Sequence, residues 1–140
     1  MKKILIALIV ISSFYILSKW LFGVGTDKEF VGEYCQYPVK MGVGKNKWWE
    51  YSRIELNQDS SCHISYYSAI PIQSYAYGPS SSFDGRWTRV SENECKVFGV
   101  SEEKYNYNGI YVLDNDKLQP PASSLQETYE RDLVPKNPFD

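Results

Sequence analysis

Histidine is nearly missing from this 140-residue chain, with His63 the only one. A lone imidazole leaves no zinc-like ligand spacing, so no metal site and no cofactor are expected. Excess charge is also missing. The formal net charge is −2, too small for the strong field that attracts nucleic acid. Gly42-Val43-Gly44-Lys45 lacks both the spacing and the following helix of a phosphate-cradling loop. No lipobox cysteine lies near the N-terminal apolar run, which argues against a lipoprotein. No low-complexity stretch and no second domain interrupt a chain whose length suits one domain.

The N-terminal segment is apolar. Met1-Lys2-Lys3 precedes residues 4–17, which are apolar apart from Ser12 and Ser13. As a helix, residues 4–22 would span about 28 Å, close to the hydrocarbon thickness of a bilayer. Lys19 would snorkel and Trp20 would sit at the interface. Residues 1–22 therefore read as an uncleaved signal-anchor with its N-terminus in the cytoplasm. A cleaved signal, with small residues at Gly23-Val24-Gly25, is the alternative. Both readings export the remainder to a bacterial periplasm. That remainder holds 12 basic and 17 acidic residues, a net −5. Residues 23–29 read as a tether, 30–133 as the folded domain, and 134–140, with Pro135 and Pro138, as an irregular tail.

Twelve Tyr, four Trp and six Phe favour strands over a helical bundle. The clearest signal is residues 51–67. Ile54 and Leu56 alternate with Arg53 and Glu55, a polar knot follows at 57–61, and Cys62, Ile64 and Tyr66 then alternate with His63, Ser65 and Tyr67. Such alternation around turn-forming residues marks a half-buried hairpin. The same plan continues downstream. It predicts eight strands over 30–37, 49–56, 62–67, 84–90, 95–100, 107–113, 117–119 and 126–133. The expected fold is all-β, an antiparallel meander closing into a small barrel, since closure removes exposed edges.

Connection lengths alternate in this scheme. The second, fourth and sixth connections are tight; the others are longer. In an up-and-down barrel the tight turns then share one end and the long loops the other, with residues 68–83 the longest loop.

Gly32-Glu33-Tyr34 near the first strand, with Arg131 in the last, resembles the lipocalin-like (calycin) pattern. In that pattern a Gly-x-Trp packs under an arginine and closes the barrel base; here Tyr34 stands at the Trp position. The resemblance implies barrel closure by Gly32, Tyr34 and Arg131, and by analogy a ligand cavity.

The other functional expectations come from the residues themselves. Cys62 and Cys95 each follow a tight turn, so they are the favoured disulfide pair. Three reduced, buried thiols are the alternative, because two strand spacings of about 9.5 Å separate that pair. His63 should face outward, and no nucleophile–base arrangement surrounds it. Asp114-Asn115-Asp116 reads as a hairpin turn rather than a calcium loop, and Glu92, Glu94, Glu102 and Glu103 as solvated charge. No catalytic residue is expected. The long-loop end carries Lys45, Lys47, Trp48, Trp49, Ile72, Tyr75, Tyr77 and Tyr105, a set suited to a protein partner. Packing of these aromatics into the barrel mouth, or contact with lipid headgroups, are the competing roles. The expected function is a membrane-anchored, non-enzymatic periplasmic module that binds a protein, of inhibitor or immunity type. A carrier of a small apolar ligand and a structural subunit of an envelope complex are the rivals.

Overall fold

The computed structural model describes residues 27–74, 78–102, 105–124 and 126–140. The signal-anchor reading of residues 1–22 lies outside them. Among the described residues, no helix is long and apolar enough to cross a membrane.

A single 3-10 turn, Asp27–Glu29, leads into strands β1 (Gly32–Gln36), β2 (Val39–Val43), β3 (Asn46–Leu56), β4 (Ser61–Ala69), β5 (Ser81–Arg89) and β6 (Glu94–Phe98). Then follow the short β7 (Ser101–Glu102) and β8 (Tyr105–Asn106), and β9 (Gly109–Asp114), β10 (Lys117–Gln119) and β11 (Tyr129–Arg131). Eight of these close a ring, each antiparallel to its neighbours: β1, β3, β4, β5, β6, β9, β10, β11 and back to β1. The fold is an all-β, closed eight-stranded barrel.

Alternation sets the register. Ile54 pairs with Ile64, Leu56 with Cys62, and Ile64 with Phe83, so their side chains point inward together. Sliding β3 by one residue would put Arg53 and Glu55 inside instead. Both lie outside, where Arg53 Nε meets Glu33 Oε1 at 3.2 Å. The interior is filled by large side chains: Tyr34, Ile54, Leu56, Ile64, Tyr107, Tyr111, Leu118 and Tyr129 are fully or almost fully buried. Eight-stranded barrels are just wide enough for side chains to fill.

Two features depart from the sequence reading. The first is β2. Residues 39–47 are not a long loop; they continue β1 and turn back into β3. β1 pairs with β3 in one register (Gly32 with Leu56) and β2 in a register shifted by one (Val39 with Glu50). The extra residue is taken up at Tyr37-Pro38, as in a bulge. Gly44, with φ of 63°, and Lys45 form a two-residue hairpin turn, the place where a glycine is needed for positive φ.

The second is the tail. Residues 133–140 form no strand, but they lie on the outer wall of the barrel. Leu133 and Phe139 pack against a buried outer cluster of Cys35, Trp49, Tyr51 and Ala69. Within it Trp49 stacks on Tyr51 at 5.5 Å and Tyr51 on Tyr67 at 4.6 Å. Asn137 Nδ2 donates to the carbonyls of Pro71 and Gln73, tying the tail to the β4–β5 loop.

Candidate functional site

The barrel has two unlike ends. At one, the base, sit the tight turns at 57–60, 90–93 and 115–116. Val90 N donates to Glu94 O at 2.8 Å. Asp59 Oδ1 accepts from Ser61 N at 3.0 Å and from Ser61 Oγ at 2.6 Å, which holds its carboxyl below the usual range. Gly32, Tyr34 and Arg131 meet here. The Arg131 guanidinium lies 4.7 Å from the centre of the Tyr34 ring. It donates to Val31 O at 2.8 Å, to Tyr34 Oη at 2.5 Å and to Glu29 O, and pairs with Asp116 at 3.1 Å. Gly32 has a φ of 155°, which strains any side chain, and a Cβ there would also meet Arg131 Nη1 at 2.6 Å and displace the guanidinium. Phe30 and Trp87 complete the seal with ring centres 6.0 Å apart. Burial pushes the Tyr34 phenol up to about 12 against the opposing pull of Arg131.

At the other end, the mouth, gather the β2–β3 hairpin and the described parts of the β4–β5, β6–β9 and β10–β11 connections. A hollow of about 520 Å³ opens there, walled by Val39, Met41, Glu50 and Tyr66 on one side and by Asn106, Asn108, Ser124 and Glu127 on the other. Its floor is a polar layer. Ser52 N donates to Gln36 Oε1 at 3.0 Å, and Gln36 Nε2 donates to Glu127 O at 2.9 Å. Ser52 Oγ and Tyr107 Oη are 3.0 Å apart, and Tyr129 Oη donates to Gln126 Oε1 at 3.0 Å. These bonds cap the aromatic core, so the hollow sits on the barrel rather than running through it.

The residues singled out in the sequence are dispersed by this geometry. Lys45 is at the hairpin turn and Lys47 is exposed on β3. Trp48 is half-buried, and its indole N–H donates to Glu50 Oε1 at 2.5 Å. Trp49, its neighbour, is fully buried in the outer cluster, with Nε1 donating to Ile70 O at 3.2 Å. Alternation sends consecutive residues to opposite faces, and the tail covers the face that Trp49 takes, so Trp49 offers no contact surface. Ile72 is 88% exposed. Tyr75 and Tyr77 lie outside the described residues, as does the side chain of Tyr105. Three apolar residues were not anticipated: Val39, Met41 and Val43, all exposed on β2. Their alternation with Lys40 and Gly42 is a strand signal, hidden between Pro38 and the glycines.

The expected Cys62–Cys95 disulfide is absent. All three cysteines are free and buried. Cys62 pairs across to Gly85 and Cys95 to Arg89, so β5 lies between the two backbones and their registers differ by four residues along it. Burial pushes the Cys62 and Cys35 thiols up to about 11 and Cys95 to about 12. Such thiols are inert rather than nucleophilic. His63 faces outward, its Nδ1 2.6 Å from Asp84 Oδ1 on the neighbouring strand. Among the described residues no group of three side chains is placed to hold a metal ion.

Comparison with protein-family models, with curated proteins and with solved structures returned no match.

Proposed function

We propose that this chain is a non-enzymatic binding module, exported and anchored in the bacterial inner membrane by residues 1–22, that recognises a protein through the mouth of its barrel. The observation that carries this reading is the exposed hairpin. β2 is exposed along its whole length, and Val39, Met41 and Val43 share one of its faces. Exposed apolar residues grouped at one rim and bordered by charge mark interaction surfaces. Ile70 and Ile72, in the β4–β5 connection at the same end, are also exposed. Orientation agrees with the role. The chain enters at the base, where Glu29 meets Arg89 and Arg131, so an anchor before residue 27 leaves the mouth facing away from the membrane. An inhibitor or immunity protein would use such a placement to block a soluble target in the periplasm.

Photo-crosslinking in intact cells tests this. A crosslinking side chain at position 43 or 72 should capture one protein repeatedly, and one at position 59 or 92 should not. Capture from the base alone, or from neither end, refutes the reading.

The hollow of about 520 Å³ supports a second reading, a carrier of a small apolar ligand, since its volume is within the usual range for such sites. The filled interior beneath it limits that ligand to the mouth. Native mass spectrometry of the protein purified from its own cells should then show a retained small molecule that Met41→Glu abolishes.

A further inference from the structure

β2 does more than expose three apolar side chains. It continues the line of β1 beyond the point where the barrel closes. β11, on the far side of β1, is three residues long, and its Tyr129 stands opposite Gln36. Among the described residues, β2 therefore pairs with β3 on one side and with no strand on the other. Every second residue of an antiparallel strand turns its N–H and C=O away from its partner strand. β2 thus presents a row of backbone donors and acceptors as an open edge. A second hollow, of about 330 Å³, lies at the start of this edge, between Pro38 and Val39 on one side and Glu127 and Thr128 on the other. Val39 borders both this hollow and the mouth.

The two faces of the hairpin differ in chemistry. Val39, Met41 and Val43 pair with Glu50, Trp48 and Asn46, so one face is largely apolar and looks over the mouth. Lys40 and Gly42 pair with Trp49 and Lys47, so the other face, whose lower part the tail covers, carries two ammonium groups, exposed Lys40 with its Nζ 5.3 Å from the centre of the Phe139 ring and exposed Lys47, with Lys45 beside them at the turn. The domain as a whole is acidic, which makes this basic hairpin a local reversal. A strand laid against β2 would send its side chains alternately to the same two faces.

We infer that β2 is a strand-addition site whose occupant is an extended segment of the partner protein, with apolar residues alternating with acidic ones. Backbone bonds to the open edge supply affinity, and the alternating side chains supply selectivity. The apolar set lies along Val39, Met41 and Val43; the acidic set lies beside Lys40 and Lys47. A second copy of this chain fits worse, because β2 against β2 would bring three lysines from each hairpin together. Edge lysines are a known guard against self-pairing. The inference rests on the mouth being the protein-binding end.

The probe is a labelled synthetic peptide, acetyl-Glu-Val-Glu-Val-Glu-Val-Glu-amide, titrated against the full-length chain by fluorescence anisotropy. Saturable binding is expected, at least about tenfold weaker when every Val is replaced by Ser or every Glu by Lys. Lys40→Glu combined with Lys47→Glu should weaken binding about tenfold, the scale of two surface ion pairs, and should restore binding of the Lys-Val peptide. Amide hydrogen exchange should slow at residues 39–43 on binding and stay unchanged at 57–60. Equal affinity for all peptides, no binding, or protection elsewhere overturns the proposal. So does protection of 39–43 that grows with protein concentration alone, which identifies a second copy as the occupant. If these fail while position 43 still crosslinks a protein in cells, strand addition is wrong and the mouth reading stands; if the crosslinks vanish too, both fall.

Discussion

The base and the mouth of this barrel are built from the same strands, yet only one is closed. At the base, turns are short, Phe30, Tyr34 and Trp87 are buried in one cluster, and Arg131 ties the last strand to the first. At the mouth, the connections are longer, the floor is a layer of amides and hydroxyls, and apolar side chains on β2 stand in water. Stability is concentrated where contacts are dense, and binding surfaces are drawn from the remainder. The contrast teaches that an exposed Val or Met has meaning by location: at the mouth it lies beside a hollow and an open strand edge.

The largest test falls on the outer cluster, where the mouth is least loose. Trp49→Ala should cost about 3–5 kcal/mol in chemical denaturation, the usual cost of removing a buried Trp. Trp48→Ala, one residue away, should cost about 1 kcal/mol or less. Equal losses would show that the tail does not divide the two faces of the hairpin.

At the base, Arg131→Ala should cost about 2–4 kcal/mol, because charge-assisted hydrogen bonds contribute about 1.5–3 kcal/mol each. A loss under about 1 kcal/mol would mean that the ring closes without the arginine.

Alkaline pH should also act on the base more than on the mouth. Burial raises the Cys62 and Cys95 thiols to about 11 and 12, above the unfolded value of about 8.5. The folded state then keeps protons that the unfolded chain releases. The stabilisation is complete below about pH 8.5 and is lost as pH rises through those folded values. The denaturation midpoint should fall between pH 8 and pH 10.5, and the slope should flatten in a Cys62→Ala, Cys95→Ala double variant. An unchanged slope would place the thiols in water.

The smallest effect is expected at the rim. Met41→Ser and Val43→Ser should each change stability by about 0.5 kcal/mol or less while weakening partner capture. A marked loss of stability would return these residues to the fold and remove them from recognition.

The barrel was legible because alternation is local. Ile54, Leu56, Cys62 and Ile64 declare an inward face within one hairpin, and Lys117-Leu118-Gln119 was placed as the short strand it is. That the β2–β3 hairpin and the start of the β4–β5 connection share one end follows from the meander alone. What stayed hidden depends on surfaces that exist only after pairing. Val39-Lys40-Met41-Gly42-Val43 alternates, but Pro38 and two glycines read as loop. The tail has no periodicity, and its binding surface is an outward aromatic seam that forms only once β1, β3 and β4 align. For the same reason Trp48 and Trp49 looked equivalent, although pairing gives them opposite fates.

The tie between Arg131 and Val31 spans 100 residues, and it has a consequence for how the protein is made. Until Tyr129–Arg131 are delivered, β1 and β10 each lack the neighbour that joins them, and the sheet is an unrolled ribbon. Closure is a late, long-range event of the kind that slows folding. A chain that emerges N-terminus first must hold that ribbon open until β11 arrives. A partner present during that interval would meet margins along β1 and β10 that closure removes, whereas among the described residues the outer edge of β2 keeps no strand partner.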